Sequence, residues 1–428
     1  MKSQIHEYHL LKNLLMSKKI FLLIIFCFTL HSVFAEWIWT KKASMPSGSK
    51  RDRAVGFAHK NWGYVCTGLD SLNLVKNDLW RYDTLTNTWA QMANFPGVPR
   101  RDAVGFVIDS FGYVGTGIAD SSAFGTELMD FYKYNFYTNT WDSIAPYTNG
   151  LGYGIFKGAG TAVNGKGYVF TGRQWGYPMY ETWEYDPVTD YWTQKMSFPS
   201  FDGRNGASAF TIQNKAYLTC GADDNYFYND LWEYDPALDA WTQLQNFPGT
   251  ARIAAVAFVI NTTAFVGLGT DGGYCNDFWS YNAATNHWSY VNLYTGEARR
   301  GSAAFSIGYY GYVATGKSVT GTKRDLYQMK WKQPADPNSV SDIFSAEKFS
   351  VYPNLVSKNS FLQLSGLPDE NSVLKIFDSN GKCVSEIISD GKNKSVSVSG
   401  LKSSGEYFLQ LIDVNGKIIS PVQKIIVL

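Results

Sequence analysis

Aromatic and polar residues alternate in short stretches that recur along the chain. In residues 230–252, Trp232 and Tyr234 flank a charged residue, an Asp-Pro pair follows, and Trp241 lies in the next alternating stretch. Such a pattern, broken by turn residues, predicts two β-strands joined by a turn. Versions of this stretch recur around Trp80, Tyr132, Trp183 and Trp279. The recurrence predicts a repeat architecture.

A second periodic feature interleaves with the first, an apolar strand that contains an aromatic residue and ends in glycine. Its aromatic residues, spaced about 50 positions apart, are Tyr64, Tyr113, Tyr168, Tyr217, Phe265 and Tyr312. A further strand with small residues on one face precedes each copy, and strands crowd together near the axis of a propeller. The six copies therefore predict a β-propeller of four-stranded blades whose small-residue strand is innermost.

The two ends of the repeat region are predicted to complete one blade together. Five units have an outer strand marked by tryptophan, whereas the sixth ends at Trp331 without one. Trp39 and Pro46 have the spacing of the tryptophan and proline in other outer strands. The segment around Trp39 is therefore expected to supply the missing strand, which removes exposed strand edges. The predicted propeller spans residues 36–331.

The segment before the repeats has the pattern of an export signal. Lysines precede an apolar run at residues 20–30, and Ala35 is a small residue at the expected cleavage point. The run is shorter than the roughly 20 residues that span a bilayer. The sequence predicts a signal peptide at residues 1–35, with Met16 as an alternative start, and no transmembrane anchor.

The composition changes after the repeats. Neither tryptophan nor arginine occurs beyond Trp331, and the proline, aspartate and serine residues of 332–346 are typical of a linker. Alternating stretches then resume, and Asn380-Gly381 and Asn415-Gly416 favour tight hairpins because both turn positions take a positive φ. Residues 347–428 are predicted to form a small Ig-like β-sandwich.

Charge and cysteine content exclude several function classes. The net charge is +1 at pH 7, so no overall field favours binding to nucleic acid or to an anionic membrane. The five cysteines lack the spacing of a zinc site or of a disulfide framework. Cys66 and Cys220 fall within predicted strands, where we interpret them as small buried apolar residues.

The repeat resembles the kelch repeat in its glycine-terminated aromatic strand, its Trp-Glu-Tyr-Asp-Pro sequence at 232–236 and the following Trp241. Six copies carry this resemblance, which implies an all-β fold, a six-bladed kelch-type β-propeller. Kelch repeats usually have Gly-Gly where this chain has Thr67-Gly68, Thr116-Gly117, Thr171-Gly172 and Thr315-Gly316. Here we expect that only the second position needs the permissive φ of glycine.

The C-terminal residues resemble the sorting domain of type IX secretion substrates. The matching residues are Val351-Tyr352-Pro353-Asn354, Ile376-Phe377-Asp378, Asn380-Gly381-Lys382 and Gly405-Glu406-Tyr407. The resemblance implies export across both membranes of a Gram-negative cell, to the medium or the outer surface. It implies the type IX machinery as a partner that reads this domain, and removal of the domain after export.

No residue set for catalysis or metal binding stands out. Galactose oxidase also has kelch repeats, but beyond residue 35 this chain has two histidines, His59 and His287, and a copper site needs clustered imidazoles. No Ser-His-Asp set can be assigned. Asp223, Asp224 and Asp271 lack EF-hand spacing, and we interpret them as Asx-turn residues. The sequence predicts no catalytic residue, metal ion or cofactor.

Arginine and aromatic residues form the candidate ligand-binding set. In five units an arginine precedes the innermost strand: Arg51, Arg100, Arg204, Arg252 and Arg299. Alternating strand direction predicts that these loops share a face with the long loops that contain Trp175, Tyr177, Tyr226, Tyr228 and Tyr274. Arginine binds carboxylates bidentately, and aromatic rings provide stacking surfaces. Alternatively, each arginine bonds loop carbonyls or an acidic residue of the neighbouring blade.

The sequence is compatible with three functions. The candidate face predicts a secreted or cell-surface recognition module, without catalytic activity, for an extracellular carbohydrate, anionic ligand or protein. An enzyme acting on acidic sugars is an alternative, because a sialic acid epimerase is also a six-bladed kelch propeller. A surface scaffold without a small ligand is the third. A propeller fold by itself does not rank these functions.

Overall fold

The structure is a computed structural model that describes residues 36–119, 127–148, 152–200 and 202–332 of the repeat region. Towards the C terminus it describes residues 350–352, 355–357, 361–365, 372–378, 383–389, 395–401, 404–413 and 423–427. The chain divides into two compact units, Met1–Ala335 and Asp336–Leu428. The predicted signal peptide lies outside the described residues, as do both predicted Asn-Gly hairpins and nearly all of the predicted linker.

Within the described part of residues 36–332, strands form six four-stranded antiparallel sheets, the blades of a propeller. The first strand of the chain is β1 (Glu36–Lys42). Blade 1 contains β2 (Val55–His59), β3 (Trp62–Cys66), β4 (Leu79–Asp83) and β5 (Thr88–Gln91). Blade 2 contains β6 (Val104–Ile108), β7 (Phe111–Gly115), β8 (Phe131–Asn135) and β9 (Thr140–Ile144). Blade 3 contains β10 (Ala159–Val163), β11 (Lys166–Gln174), β12 (Tyr177–Asp186) and β13 (Tyr191–Lys195).

The remaining blades follow the same order. Blade 4 contains β14 (Ser208–Ile212), β15 (Lys215–Thr219), β16 (Leu231–Asp235) and β17 (Ala240–Leu244). Blade 5 contains β18 (Val256–Ile260), β19 (Thr263–Gly267), β20 (Asp277–Asn282) and β21 (His287–Leu293). A small separate sheet contains β22 (Arg299–Arg300), β25 (Lys317–Ser318) and β26 (Gly321–Thr322). In the sequence these short strands come directly before or between the strands of blade 6. Blade 6 contains β23 (Ala303–Ile307), β24 (Tyr310–Ala314), β27 (Leu326–Lys332) and β1.

The first strand of each blade lies nearest the propeller axis. Strands β2, β6, β10, β14, β18 and β23 contact one another in this order, and β23 also contacts β2. Gly56 illustrates why small residues occur on these strands: a Cβ atom there would lie 2.8 Å from the backbone nitrogen of Ala304 in blade 6. Small residues therefore allow the innermost strands to approach closely enough to form a ring.

Blade 6 is completed by a strand from the other end of the repeat region. Strand β1 pairs antiparallel with β27, and Trp39 lies opposite Met329. The indole nitrogen of Trp39 donates to Asn292 Oδ1 of blade 5 at 3.0 Å. The ring is therefore closed within one sheet by residues from both ends.

Each outer tryptophan joins its blade to the preceding blade. The indole nitrogen of Trp141 donates to the carbonyl oxygen of Ala93 at 2.9 Å. The backbone nitrogen of Ala93 donates to Asn139 Oδ1 at 2.8 Å, and the Tyr134 hydroxyl donates to the same oxygen at 2.8 Å. Equivalent indole bonds are made by Trp89, Trp192, Trp241 and Trp288. The repeat tryptophans and tyrosines thus build the junctions between blades.

The hydrophobic core of the propeller lies between neighbouring blades. In one cluster, Phe106 and Tyr113 of blade 2 pack with Trp183, Tyr185 and Trp192 of blade 3. The rings of Phe106 and Tyr113 are stacked, with centroids 5.2 Å apart. Burying a side chain of this size contributes about 2–3 kcal/mol, so these interblade clusters supply much of the stability of the ring.

The buried cysteines of the propeller belong to this packing. Cys66 and Cys220 are free thiols with no exposed surface. Burial is the main reason that the pKa of the Cys220 thiol is raised to about 12. Neither thiol is poised to act as a nucleophile at neutral pH, because the thiolate is the reactive form.

The C-terminal unit contains two sheets that share one apolar core. One sheet orders its strands as β28 (Ser350–Tyr352), β30 (Phe361–Ser365) and β33 (Ser395–Ser397). The other orders them as β29 (Leu355–Val356), β35 (Gln423–Val427), β34 (Gly405–Asp413), β31 (Ser372–Asp378) and β32 (Cys383–Ser389). Leu362 of the first sheet and Leu374 and Leu409 of the second belong to the same buried cluster. Two sheets around a common core form a β-sandwich.

Candidate functional site

The five repeat arginines are buried and hold the loop that precedes the innermost strand. Arg100 Nη1 and Nη2 donate to Asp130 Oδ1 and Oδ2 at 2.6 and 2.7 Å, and Nη1 also donates to the carbonyl oxygen of Thr116 at 2.9 Å. The other pairs are Arg51–Asp78, Arg204–Asp230, Arg252–Asp277 and Arg299–Asp325. Each acid stands at the start of the third strand of the same blade, not in the neighbouring blade. The guanidinium groups therefore bind within the protein.

The residue before each strand-ending glycine also has a left-handed backbone, so the expectation that only the glycine needs a positive φ is wrong. Thr116 has a φ of 55° and Gly117 a φ of 92°; Thr67 has 62° and Gly68 107°. An L-residue in this region costs about 1–2 kcal/mol. The repeat arginine donates to the carbonyl oxygen of this strained residue in five blades. A Gly-Gly pair would avoid this strain. In this chain the hydrogen bond from the arginine helps to keep the strained residue in its left-handed conformation.

A cavity of about 510 Å³ opens on the axis at the end where the innermost strands begin. Its wall consists mainly of residues that follow the repeat arginine, or Ile155 in blade 3, by one to three positions. The second of these positions has a positive φ in all six units: Arg53, Asp102, Lys157, Gly206, Ala254 and Gly301. Deeper along the axis, small residues of the innermost strands line a narrower space of about 190 Å³. The repeat arginines themselves do not line the cavity.

Cationic side chains outnumber acidic ones in the cavity wall. The charged wall residues are Arg53, Arg101, Lys157, Arg173, Arg300, Asp52 and Asp102. Arg101 forms an ion pair with Asp102, and Arg53 Nη1 lies 3.9 Å from Asp102 Oδ2. Among the described residues, the side chains of Lys157 and Arg300 have no hydrogen-bond or ion-pair partner. Cations without an internal counter-ion, in a partly desolvated cavity, favour a bound anion.

Burial changes the protonation of two wall residues. Burial is the main reason that the pKa of Lys157 lies below its usual value; Asp102 opposes this lowering, and Arg53, Arg173 and Arg101 add to it. Burial also raises the pKa of the Asp52 carboxyl, which Arg53 opposes and Asp102 reinforces. An anion in the cavity would favour the ammonium form of Lys157, so anion binding and Lys157 protonation are coupled.

Charge is unevenly distributed around the cavity. Blades 6, 1, 2 and 3, which are consecutive in the ring, provide the five cations, which we call the cationic arc: Arg300, Arg53, Arg101, Lys157 and Arg173. Blades 4 and 5 provide uncharged residues, which we call the apolar arc: Gly206, Ala207, Ile253 and Ala254. The cavity therefore has two chemically different sides.

Three of the predicted aromatic residues are exposed. Trp175 and Tyr177 belong to the hairpin between β11 and β12, and their exposed fractions are 55% and 71%. The turn has a positive φ at both Trp175 and Gly176, as expected for a two-residue hairpin of the type I′ class. Tyr226, in the loop before β16, is 69% exposed. These rings are available for contact with another molecule.

The other two predicted aromatic residues are partly buried. The Tyr228 hydroxyl donates to Asp223, and its ring lies 4.0 Å from the Arg204 guanidinium. Tyr274 is half-buried and forms a β-bridge with Thr270. The Tyr228 ring thus packs against the arginine of its own blade. Tyr228 and Tyr274 are less exposed than Trp175, Tyr177 and Tyr226.

Arg173 connects the cavity wall to the exposed aromatic loops. Its Nη2 donates to the carbonyl oxygen of Gly176 at the hairpin tip and to Asp224 Oδ1, the latter at 2.6 Å. Asp224 stands two residues before Tyr226. Arg173 therefore contacts both the cavity and the two loops that contain the exposed rings of blades 3 and 4.

The arginines that the sequence predicts as ligand-binding residues are adjacent to the cavity wall, and the cationic arc is not among the predicted residues. The arginine recurs in five units, whereas the next position varies: Asp52, Arg101, Phe156, Asn205, Ile253 and Arg300. A position that varies directly after a constant arginine is the sequence feature that could indicate these cavity residues. The positive φ at the second position after the arginine has no signature in residues such as Arg53 or Asp102.

Family models match part of the propeller and the C-terminal unit. Residues 126–266 match the KLHDC2/KLHL20/DRC7 Kelch-repeats domain, and residues 350–428 match the Secretion system C-terminal sorting domain. No curated protein matches the chain. One matching solved structure, described as "Structure of YjhT", is 18% identical, covers 68% of this chain and 97% of its own, and has a TM-score of 0.57. At this identity the likeness concerns the fold alone.

The predicted all-β propeller and both family resemblances are confirmed by these matches. Among the described residues, no helix has the length and apolar character needed to cross a membrane. The sorting domain indicates export to the cell surface or secretion and implies interaction with the type IX machinery. The chain thus contains a β-propeller, of which residues 126–266 match a kelch-repeat family model, and a C-terminal segment that matches the type IX secretion sorting domain.

Proposed function

We propose that this exported propeller is a recognition module that binds a small anionic ligand in its axial cavity. The observation that carries the proposal is the cationic arc, whose five cations line the cavity beside two acids. Guanidinium and ammonium groups bind carboxylates through charge-assisted hydrogen bonds, which strengthen when water is excluded. The cavity volume of about 510 Å³ lies in the usual range for small-molecule sites, roughly 300–1,000 Å³.

A carbohydrate with an acidic group is the anion that fits the surrounding surface best. Trp175, Tyr177 and Tyr226 are exposed, and Arg173 links their loops to the cavity wall. Aromatic rings bury large areas against a ligand at low entropic cost. The acidic group would enter the cavity, and neighbouring sugar rings would stack outside it.

Calorimetric titration of the purified protein with sugar acids and their matched neutral sugars tests this function. We expect at least one acid to bind, its neutral partner not to bind, and the affinity to fall with added salt. Arg300→Ala should weaken binding about 10-fold or more, since a charge-assisted bond contributes about 1.5–3 kcal/mol. Lys60→Ala, an exposed charge in the β2–β3 turn, is the matched control. Equal binding of acids and neutral sugars would contradict the proposal.

An enzyme acting on acidic sugars is the second candidate, favoured by Asp52. This carboxyl lines the cavity, is 1% exposed, and has a pKa raised mainly by burial, which are properties of proton-transfer groups. The test is the rate of anomer interconversion of a sialic acid with and without the protein. A rate equal to that of the buffer, or an Asp52→Asn variant as fast as the unaltered protein, would exclude this candidate.

A further inference from the structure

We propose that the part of the ligand that enters the axial cavity is amphipathic, a carboxylate with a compact apolar substituent, while sugar rings attached to it stay outside the cavity. Its acidic group contacts the cationic arc, and its apolar substituent lies against the apolar arc. This inference rests on the proposed anion-binding function and adds a second chemical requirement to it. Two observations carry it: the opposition of the two arcs across the axis and the way the apolar arc is built.

The two arcs oppose each other because of the six-fold arrangement of the blades. In a six-bladed ring, blade 4 lies across the axis from blade 1, and blade 5 lies across from blade 2. Gly206 of blade 4 therefore faces Arg53 of blade 1, and Ile253 of blade 5 faces Arg101 of blade 2. A ligand whose acid contacts Arg53 and Arg101 must present its opposite side to Gly206 and Ile253.

Tight packing fixes the apolar arc. A Cβ atom on Gly206 would lie 2.5 Å from Ile253 Cγ1 and 2.8 Å from Ile253 Cδ1, and Gly206 has a φ of 62°. The isoleucine side chain therefore occupies the space that a larger residue at position 206 would need. The same device operates on the other side, where Arg53 Cγ lies 3.3 Å from the position of a Cβ on Gly301. Each glycine is thus covered by a side chain of the next blade, an isoleucine over Gly206 and an arginine over Gly301.

The apolar arc offers no side-chain partner to a polar group of a ligand. Asn205, the polar residue at the equivalent position of blade 4, is 2% exposed, and its amide nitrogen donates to the carbonyl oxygen of Ala222 at 2.9 Å. Gly206, Ala207, Ile253 and Ala254 have no polar side-chain atom. A polar substituent placed here would lose its water without a new hydrogen bond, which is unfavourable, whereas a hydrocarbon group would gain from burial.

A carboxylate series separates the acidic from the apolar requirement. We would titrate the purified protein with acetate, butanoate and cyclohexanecarboxylate, with cyclohexanemethanol as the neutral analogue. Each buried methylene strengthens binding roughly 4-fold, so we expect cyclohexanecarboxylate to bind at least about 10-fold more tightly than acetate. Ile253→Asn should bring this affinity ratio close to one, and Ile253→Val should retain most of it. Val188→Asn, at a residue that is 91% exposed, is the matched control and should keep the ratio.

The outcomes distinguish this inference from the function on which it rests. Equal affinity for acetate and cyclohexanecarboxylate would overturn the amphipathic ligand and leave anion binding intact. Cyclohexanemethanol binding as tightly as cyclohexanecarboxylate would overturn the anion requirement itself. Failure of every carboxylate in the series to bind would overturn the amphipathic ligand, and failure of the sugar acids as well would overturn anion binding. A ratio that survives Ile253→Asn, in a variant whose melting temperature equals that of the unaltered protein, would show that Ile253 is not the apolar wall.

Discussion

Single residues in this propeller carry backbone strain at repeated positions. Thr67, Thr116, Thr171 and Thr315 have φ angles of 55–62°, a region that costs a residue with a Cβ about 1–2 kcal/mol. The Thr116 hydroxyl is also buried and, among the described residues, has no hydrogen-bond partner. Neither feature adds stability in itself, so these threonines are positions where substitution can strengthen the fold.

We expect Thr116→Gly to stabilise the propeller by about 0.5–1 kcal/mol. Glycine removes the left-handed penalty, and its larger unfolded-state entropy takes back about half of the gain. Urea unfolding of the two proteins measures the difference. Thr116→Ala retains the strained φ without the hydroxyl, so it separates the backbone effect from the side-chain effect. A glycine variant no more stable than the alanine variant would contradict the explanation by backbone strain.

Glu297 gives the small sheet beside blade 6 a dependence on pH. The Lys323 ammonium, with the hydroxyls of Thr320 and Ser318, lowers the pKa of Glu297 from 4.5 to about 2. A depressed folded-state pKa contributes stability that is present above the unfolded value, near 4.5, and is lost as the pH falls towards 2. Because the Glu297 side chain is 46% exposed, solvent screens the interaction and keeps it small.

The melting temperature of Glu297→Gln should therefore lie below that of the unaltered protein at pH 6, and the two should converge near pH 2. Melting curves recorded by circular dichroism between pH 2 and pH 7 provide the measurement. Lys323→Gln should reproduce the same convergence, because it removes the main partner of the carboxylate. A difference that stays constant over this pH range would show that the Glu297 carboxylate does not contribute through its charge.

In five blades the repeat arginine and its aspartate form an ion pair, which we call the clamp, between the first and third strands. The clamp connects the loop before the first strand to the start of the third strand, and it also holds the carbonyl oxygen that ends the second strand. Blade 3 has Ile155 in place of the arginine, and this side chain is 1% exposed. An apolar residue can therefore fill the position, in keeping with the finding that well-packed apolar groups can replace buried ion pairs.

Arg100→Met should lower the free energy of unfolding by about 3 kcal/mol, because it leaves Asp130 with an unpaired charge. Adding Asp130→Asn should restore part of the loss, since the uncompensated carboxylate is then gone. Chemical denaturation of the two single variants and the double variant gives the coupling energy between the side chains. Lys60→Met, at an exposed site, is the control. Additive effects of the two changes would mean that the pair is not coupled.

Repetition made the strands predictable, whereas local backbone geometry hid the site. Tyr234 and its equivalents recur with the strand period, and their burial follows from that pattern. Thr116 carries no sequence signal for a positive φ, since threonine rarely adopts one. The same limit applies to Arg53 and Lys157, which line the cavity and also have a positive φ. The repeat arginines are constant because the clamp to the aspartate requires an arginine at that position.

The whole propeller depends on one strand contributed from its N-terminal end. Trp39 of β1 is 8% exposed, donates to Asn292 Oδ1, and packs against Tyr294 with ring centroids 4.9 Å apart. It therefore joins blade 6 to blade 5. Since each blade contacts its two neighbours, loss of this junction would open the ring and expose the apolar faces of both blades.

We expect Trp39→Ala to destabilise the propeller by about 3–5 kcal/mol, the usual cost of removing a buried aromatic side chain. The control is Trp175→Ala, at a ring that is 55% exposed, which should change stability by less than about 0.5 kcal/mol. Equilibrium unfolding in urea, followed by tryptophan fluorescence and circular dichroism, measures both effects. Equal effects of the two substitutions would argue against a special role for the closing strand.

The pairing of β1 with β27 also dictates an order of events during synthesis. Strand β1 is made before every blade, but its partner emerges only after the other five blades have been translated. Blades 1 to 5 can each assemble from strands that are consecutive in the chain, whereas blade 6 waits for a contact between distant ends, and such contacts form slowly. A ribosome-bound or truncated chain is thus an open arc with an unpaired N-terminal strand. The ring can therefore close only in a chain that extends through β27.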